Sequence, residues 1–556
     1  MKNKLFFIFL FCFLLCLTIG YPKLYITDEW ISGSQLNHAI EGTDLLHGYS
    51  PYGAEPYASS HKNILVYSLA IPVISYPFYI FFSLFGEAFR LVAMVLWFVF
   101  SLGSILLIHF KFPQISRYKG IPWTYVAIIS LIIFNSLNFW VYEPFIFSKY
   151  SEVAAIVFAN HVAFALFCVF AFLTIREIFD SDWWGIFGLV ATIFCSSYLF
   201  WSGNAKDHML SVMFLAIAAY FFILFIKRES LLDLVSSFIS IGLLAWVRPE
   251  LAIRCAIFFL IAAMVISYSG GFIRLMKTLC ASSAVFLGAI PVFINNYGLT
   301  GNPLIFPFML VSPNVASLKL KFGERVISTL FALFVNPISS SAGIFQVSPI
   351  ALFGLLFWIV PLLYIIKKIH REERIKKEKS ILIFIILWIF SILLTYGNQW
   401  KLLVTDLGIA PDMRYLSPIY FPMIILALYS IKLINFDERD IKMSLETLFY
   451  LIIIDLPIMF IIFQYFWGEN MVYQVTVNMW VTYTFLLISV VAFFLVLMRK
   501  VNIRWFAYSL APVMVSALMW ELILDFRFAT IGWEGYHFWI PVVQYVWYLF
   551  YYLFPI

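Results

Sequence analysis

Two adjacent carboxylates, Asp28 and Glu29, stand a few residues after the first apolar run of the chain. Near apolar surface the pKa of a carboxylate rises toward the range of a general base, so either group could abstract a proton. A pair of carboxylates could also hold a divalent cation. The same spacing fits a helix N-cap formed by Thr27 or Asp28. Both interpretations of the pair stay open on these residues alone.

Two arginines at the ends of apolar runs are candidates for binding a phosphate. Arg248 stands directly before Pro249, and Arg414 follows Asp412 after one intervening residue. Charges this close to hydrocarbon are costly and often functional, and planar guanidinium groups can clamp a phosphate. The alternative is a structural ion pair, for which Glu250 and Asp412 are the nearest partners.

Other polar residues lie in segments between apolar runs. His38 and Glu41 would share a helix face and could bind a metal, but polar residues of a solvated loop are the better explanation. Farther along the chain, further acidic, basic and amide side chains, including Lys206, fall in segments that are predicted to lie on the outer side of the membrane. We regard four members of this group as candidates for contacting the substrate or the acceptor: Glu152, Asp207, His208 and Asn302.

The elements that position these residues must be membrane helices. Hydrophobic residues make up 63% of the 556-residue chain and charged residues 12%, with a mean hydropathy of +0.94. A soluble domain is about half apolar and a quarter charged, so a water-soluble fold is excluded. The net charge of +6 reflects short basic loops between apolar runs, and it does not indicate a nucleic-acid partner.

Apolar runs long enough to form membrane helices follow one another along the whole chain. Predicted spans fall near 5–20, 89–110, 121–141, 152–175, 183–201, 208–226, 232–247, 251–268, 277–296, 346–366, 380–397, 414–434, 446–466, 476–498, 505–524 and 537–554. Lys2 and Lys4 place the N-terminus in the cytoplasm by the positive-inside rule. The first run is predicted as an uncleaved anchor, with a cleaved signal peptide as the alternative.

The apolar segment 64–85 is predicted not to cross the membrane. If it crossed, every later loop would change sides, and the most basic loop, 367–379, would face outward. With this topology most of the 36 basic residues are cytoplasmic, and the long segments 21–88, 297–345 and 398–413 all lie outside. The polar chain is thus concentrated on the outer face, where we expect the functional site.

Several short motifs follow one another in a definite order along residues 1–434. They are Asp28-Glu29, Tyr150-Ser151-Glu152, Val247-Arg248-Pro249, Asn296-Tyr297-Gly298 with Gly301-Asn302-Pro303, Asn336-Pro337 through Ser348-Pro349, and Arg414-Tyr415-Leu416. This order resembles the GT-C superfamily of integral-membrane glycosyltransferases, which includes the lipid A aminoarabinose transferases and the protein O-mannosyltransferases. Residues 435–556 carry no motif of this kind.

The resemblance implies an all-α polytopic bundle of roughly 13–16 transmembrane helices. Its GT-C-like catalytic module would comprise 1–434, with surface helices in the outer loop 21–88, and 435–556 would add further membrane helices. Two sites are implied. Asp28 would act as the base beside Glu29, with a divalent metal on the pair in some relatives, and Arg248, Arg414 and Lys62 would bind the donor phosphate.

The implied activity is transfer of a sugar from a polyprenyl-phosphate donor, with inversion at the anomeric carbon. The acceptor would be a glycan, lipid or protein of the cell envelope, on the outer face of the cytoplasmic membrane if the protein is bacterial. Two segments depart from the family pattern and leave activity and acceptor open: Lys62-Asn63-Ile64 replaces Lys-Pro-Pro, and Asn398-Gln399-Trp400-Lys401 replaces a Gly/Trp-rich stretch.

Three other functions fit a polytopic chain. A polymerase or ligase of surface polysaccharide would also use lipid-linked sugar at the outer face. A carrier or flippase for lipid-linked glycan would carry charges near the midplane on interrupted helices, whereas most charges here stand at helix ends. A scaffold without activity is the remaining alternative.

Overall fold

The chain folds as a bundle of α-helices. The computed structural model describes residues 2–19, 30–48, 64–111, 113, 122–140, 151–310, 343–357, 373–396, 414–466 and 471–530. Within these ranges the only β pairing is an isolated antiparallel bridge between His47 and Ile64. The predicted all-α class is confirmed.

The helices are numbered here in chain order. They are α1 (Lys2–Ile19), α2 (Trp30–Glu41), α3 (Ala70–Ser83), α4 (Phe89–Lys111), α5 (Trp123–Trp140), α6 (Ser151–Phe179), α7 (Asp182–Phe194), α8 (Tyr198–Ser202), α9 (His208–Arg228), α10 (Leu231–Val247), α11 (Pro249–Ser267), α12 (Gly271–Ser282), α13 (Val285–Gly288), α14 (Ile290–Thr300), α15 (Ile344–Val347), α16 (Ala351–Phe357), α17 (Glu373–Tyr396), α18 (Tyr420–Lys432), α19 (Glu438–Phe466), α20 (Met471–Leu497) and α21 (Ile503–Thr530). Short 3-10 turns cover Gly86–Ala88, Tyr268–Gly270, Pro307–Leu310 and Arg414–Ile419.

Membrane-spanning helices dominate the bundle. Among the described residues, eight helical segments are long and apolar enough to cross a membrane, with the interrupted run Gly271–Thr300 counted as one, and shorter apolar helices accompany them. The predicted spans agree closely with observed helices; the span near 208–226, for example, corresponds to α9. The predicted span 537–554 and part of 346–366 lie outside the described residues. The chain is an integral membrane protein.

One end of the bundle is basic. Lys4 Nζ lies 2.7 Å from Asp182 Oδ2, and Arg176 Nε lies 2.6 Å from Asp182 Oδ1. Lys227 Nζ lies 2.6 Å from Asp180 Oδ1. These residues come from three segments that the charge pattern predicts to be cytoplasmic. We call this the basic end, and the opposite end, which carries Lys206, Asp207 and Arg248, the site end.

Aromatic side chains fill the interior between the two ends. The rings of Phe222 and Phe384 are stacked with their centres 4.2 Å apart, and Phe259 contacts Phe384 edge-on at 4.8 Å. Helices α9, α11 and α17 meet at this cluster, and offset or edge-to-face rings stabilise such contacts beyond the area they bury. The packing fixes the site-end termini of the three helices relative to one another.

The segment 64–85 packs against the bundle through α3. Phe78 and Phe82 of this helix contact Phe158 of α6, with ring centres 5.1 and 5.5 Å apart. At 14 residues, α3 is about 21 Å long, shorter than the roughly 30 Å hydrocarbon core of a bilayer. Its length fits the expectation that 64–85 does not cross, and the membrane position of the segment remains a prediction.

The predicted span 277–296 is interrupted rather than continuous. It runs as α12, α13 and α14, and Pro291 stands in the first turn of α14. Proline lacks an N–H group, and its ring clashes with the preceding turn, which favours a break or kink in a helix. In addition, Gly288 of α13 packs against the backbone of α10, where an added Cβ would lie 2.0 Å from the carbonyl oxygen of Ile239. The close approach of these two helices fixes α14 beside the site end.

The helices beyond residue 434 pack into the same interior. Gln346 Nε2 of α15 donates to Asn478 Oδ1 of α20 at 2.9 Å, and Asn478 Nδ2 donates to the carbonyl of Ser516 in α21 at 3.1 Å. Phe506 of α21 contacts Phe353 of α16, with ring centres 5.6 Å apart. The division of the chain at residue 434 remains a prediction.

Candidate functional site

A cavity of about 370 Å³ opens at the site end of the bundle. Its polar wall comes from the loop before α9 and from the junction of α10 with α11, and its apolar wall comes from the segment before α3, α10, α14 and the turn after α14. The lining residues used below are Val66, Tyr67, Lys206, Asp207, His208, Trp246, Arg248, Glu250, Val292, Asn296, Phe306 and Phe308. A charged wall thus faces an apolar and aromatic wall.

Arg248 forms the junction between α10 and α11. It adopts extended backbone angles (φ −140°, ψ 88°), and Pro249 begins α11, as expected because a residue before proline avoids the helical region and proline fits the first helical turn. Its guanidinium is buried and donates through Nη2 to Asp207 Oδ1 at 2.8 Å. The ion pair considered from the sequence therefore forms, with Asp207 rather than Glu250 as the partner.

The electrostatic surroundings keep Arg248 charged. Burial alone would lower the pKa of Arg248, but the Asp207 carboxylate, together with Tyr396 and Glu250, raises that pKa well above its usual value. Glu250 itself accepts a hydrogen bond of 3.3 Å from the Tyr396 hydroxyl at the end of α17. Arg248 is thus a permanent cation that is flanked by two carboxylates.

Lys206 provides a second cation in the same wall. Its ammonium donates to the Tyr67 hydroxyl at 2.8 Å and lies 4.1 Å from the centre of the Tyr67 ring. Lys206 is only 3% exposed. Sequence analysis placed Lys206 in this loop but gave it no role, and only its position beside Asp207 and His208 could have signalled one.

The segment that carries Tyr67 is held at both ends. The Gln35 amide of α2 donates to the carbonyl of Tyr67 at 2.8 Å, and the backbone N–H of Leu69 donates to Asn295 Oδ1 of α14 at 2.8 Å. Trp246 Nε1 of α10 reaches the same Asn295 oxygen at 3.5 Å. These contacts place the stretch around Tyr67 against the cavity.

His208 lies at the start of α9 and lines the cavity. Its ring centre is 4.4 Å from that of Trp201, and its Nε2 is 3.5 Å from Arg248 Nη2. Asp207 and His208, both predicted from the sequence as substrate contacts, are therefore brought together with Arg248, which was predicted as a phosphate ligand. The structure joins these three in one site.

Glu152 and Asn302 lie elsewhere at the site end. Glu152 is buried in the first turn of α6 and accepts a 3.3 Å hydrogen bond from Asn37 Nδ2 of α2. Asn302 is exposed, and its side-chain oxygen accepts the backbone N–H of Leu304 at 2.9 Å within a turn. Neither residue lines the cavity, so contact with a substrate remains a prediction for both.

The backbone of Arg414 begins the 3-10 turn Arg414–Ile419, which packs against α9 and α17. The Tyr198 hydroxyl donates to the carbonyl of Ser417 at 2.7 Å and accepts the backbone N–H of Phe421 at 3.1 Å, which holds this turn in place. The side chain of Arg414 lies outside the described residues. Its convergence with Arg248 on one phosphate remains a prediction.

Three further predicted site residues, Asp28, Glu29 and Lys62, lie outside the described residues. Over the part of the chain that is described, no group of three or more His, Cys, Asp or Glu side chains is arranged to hold a metal ion. The possible divalent cation was assigned to Asp28 and Glu29, so this expectation is not tested by the described site.

Comparisons with known proteins give one structural similarity. No protein-family model matches the chain, and no curated protein is significantly similar to it in sequence. Among solved structures, the chain is similar to the crystal structure of ArnT from Cupriavidus metallidurans bound to undecaprenyl phosphate, with a TM-score of 0.47 and 10% sequence identity over 94% of this chain and 77% of that chain. A similarity of this degree assigns no roles to residues, and the site rests on the contacts described above.

Proposed function

We propose that this chain is a membrane glycosyltransferase of the GT-C type, which transfers a sugar from a polyprenyl-phosphate donor to an acceptor on the outer face of the membrane. The acceptor class is a glycan, lipid or protein of the cell envelope, and the membrane is the cytoplasmic membrane if the source is bacterial. The observation that carries the proposal is a cavity that combines the buried cations Lys206 and Arg248 with an apolar wall.

The two walls match the two parts of such a donor. A phosphate is bound by guanidinium and ammonium groups, and charge-assisted contacts of this kind are about twice as strong as neutral hydrogen bonds. An isoprenoid chain requires apolar surface, which Val292, Phe306 and Phe308 provide beside the cations. Charged groups this close to hydrocarbon are costly and often functional.

The proposed reaction is a single displacement at the anomeric carbon. The acceptor hydroxyl oxygen forms a bond to this carbon as the bond to the phosphate oxygen breaks, and the polyprenyl phosphate leaves with the bonding electrons. Asp28 takes the proton of the hydroxyl as a general base. Arg248 and Lys206 stabilise the negative charge that develops on the leaving phosphate. One displacement inverts the configuration of the sugar.

Incubation of the purified protein with radiolabelled polyprenyl-phosphate sugars and a membrane extract tests the proposal. We expect label to move from the carrier to a second molecule, which can then be identified. Arg248→Ala should lose most of this activity. Arg254→Ala is the matched control, because Arg254 belongs to α11, which begins directly after Arg248, but is exposed and does not line the cavity. If every donor still carries its labelled sugar after the incubation, the proposal is contradicted.

A further inference from the structure

A buried amide of α6 contacts the loop that carries the polar wall. Asn160 Nδ2 donates to the carbonyl oxygens of Asn204 and Lys206, each at 2.6 Å. Asn160 is fully buried and stands in the tenth position of α6, about 14 Å along the helix from Ser151. A polar side chain at this depth is costly unless it is hydrogen-bonded.

The chemistry of the two contacts requires an amide at position 160. Both partners are carbonyl oxygens, which only accept hydrogen bonds, so one nitrogen must supply two hydrogens. Aspartate has the same shape but accepts only, and leucine has a similar volume but no donor. Buried backbone carbonyls must be paired, and Asn160 satisfies two of them in the non-helical stretch 203–207.

This stretch sets the positions of two cavity residues. Lys206 contacts Tyr67, and Asp207 contacts Arg248 at 2.8 Å. The stretch is also held by the preceding helix α8, because Asn204 Nδ2 donates to the carbonyl of Phe200 at 2.8 Å. Since both carbonyls held by Asn160 belong to this stretch, a shift of the amide would move Lys206 and Asp207 together.

We propose that Asn160 is a positioning residue of the site: its amide clamps the backbone at Asn204 and Lys206 and thereby places Lys206 and Asp207 in the cavity wall. The proposal rests on the proposed function for its effect on the donor, but the clamp itself is a property of the fold. Asn160 acts through Lys206 and Asp207 and contacts no substrate.

A double-mutant cycle tests the action through Lys206. The probe is polyprenyl phosphate, whose dissociation constant is measured for Asn160→Leu, Lys206→Met and the double variant. We expect each single variant to bind about tenfold more weakly and the double variant to lose clearly less affinity than the product of the two single losses. Residues that act as one unit are not additive, because placing Lys206 has no value once its ammonium is gone. If the loss of affinity in the double variant equals the product of the two single losses, the proposal is overturned.

Hydrogen exchange of the backbone tests the clamp without any donor. We expect faster exchange in 203–207 for Asn160→Leu, and a smaller increase for the milder Asn160→Ser, whose hydroxyl offers one donor. Asn478→Leu is the matched control, because Asn478 is also a buried amide that donates to a backbone carbonyl, and it should leave exchange in 203–207 and probe affinity unchanged. Unchanged exchange in 203–207 for both Asn160 variants would also overturn the proposal.

The two measurements separate failure of this inference from failure of the proposed function. If the unmodified protein binds no polyprenyl phosphate, the proposed function fails and hydrogen exchange alone decides the clamp. If the unmodified protein binds the probe but Asn160→Leu matches it in affinity and exchange, the positioning role fails and the proposed function stands.

Discussion

The ammonium of Lys206 lies 2.8 Å from the hydroxyl oxygen of Tyr67, although the two residues are 139 positions apart in the chain. Tyr67 belongs to the segment 21–88 that is predicted to lie outside, and Lys206 belongs to the loop before α9. Their contact joins the segment that carries the predicted acidic pair to the wall that contains Arg248. The candidate donor site and the predicted catalytic residues therefore share the segment 21–88, which is predicted to lie outside.

Arg248→Ala should weaken binding of a polyprenyl-phosphate donor by about 1.5–3 kcal/mol, or roughly ten- to a hundredfold, through loss of charge-assisted contacts. Arg248→Lys should restore only part of this affinity, because an ammonium cannot form the planar fork of a guanidinium. Titration of the purified variants with labelled donor gives the dissociation constants. Affinity that is unchanged in Arg248→Ala would remove Arg248 from the donor site.

Gly242→Ala should destabilise the protein by about 1–3 kcal/mol, because an inserted methyl group overpacks a tight contact. An added Cβ at Gly242 would lie 2.2 Å from the carbonyl oxygen of Val285, so α10 and α13 would have to move apart. Thermal unfolding in detergent measures the effect. The control is Gly298→Ala, since no atom lies within 4 Å of a Cβ there; equal midpoints for both variants would refute the close contact.

Cysteine labelling in intact cells should place the two ends of the bundle on opposite sides of the membrane. Cys280 is exposed and the other five cysteines are buried, so Cys280→Ser provides the background. Asn302→Cys at the site end should react with an impermeant thiol reagent. Lys500→Cys, in the loop between α20 and α21, should react only after permeabilisation. Both positions are exposed, and a reversed labelling pattern would invert the topology.

Asp28→Asn should reduce turnover by at least about a hundredfold, because a positioned general base contributes about 10²–10⁴-fold. Asparagine keeps the shape and the capping oxygen of aspartate, so a residue that only capped a helix would tolerate the change. Steady-state transfer rates at equal protein levels give the comparison. A similar loss in Glu29→Gln, together with inhibition by a chelator, would indicate a metal shared by both carboxylates. Near-normal turnover of Asp28→Asn would contradict the role of Asp28 as a base and leave helix capping as its role.

Hydropathy predicted the membrane helices well because each helix must bury about 20 apolar residues regardless of its neighbours. It placed α9 at 208–226, and the structure has His208–Arg228. It did not predict the interruption of 277–296, for which Pro291 was a signal in the sequence but the contact of Gly288 with α10 was not. A close approach between two helices leaves no trace in the hydropathy of either one.

Only part of the site was predicted, for a similar reason: a contact between distant segments leaves no pattern in the sequence of either one. Arg248 was recognised from its place before a proline, but its nearest acid in sequence, Glu250, is not its hydrogen-bonded partner. Residues two apart on a helix do not face each other, and Asp207 reaches Arg248 from another loop across 41 positions. Asn160 was not predicted, because the sequence does not reveal which carbonyl groups a single amide inside an apolar run will bind.

The measurement that tests the central claim most directly uses sealed proteoliposomes with the site end facing outward. Donor labelled in its sugar is supplied in the outer leaflet with an acceptor extract outside. The account predicts that labelled sugar leaves its carrier and appears on the acceptor at the outer face, with inverted anomeric configuration, and that Arg248→Ala abolishes most of this transfer. Labelled donor that reaches the inner leaflet with its sugar still attached to the carrier, and no labelled acceptor, would contradict the account and identify a carrier instead.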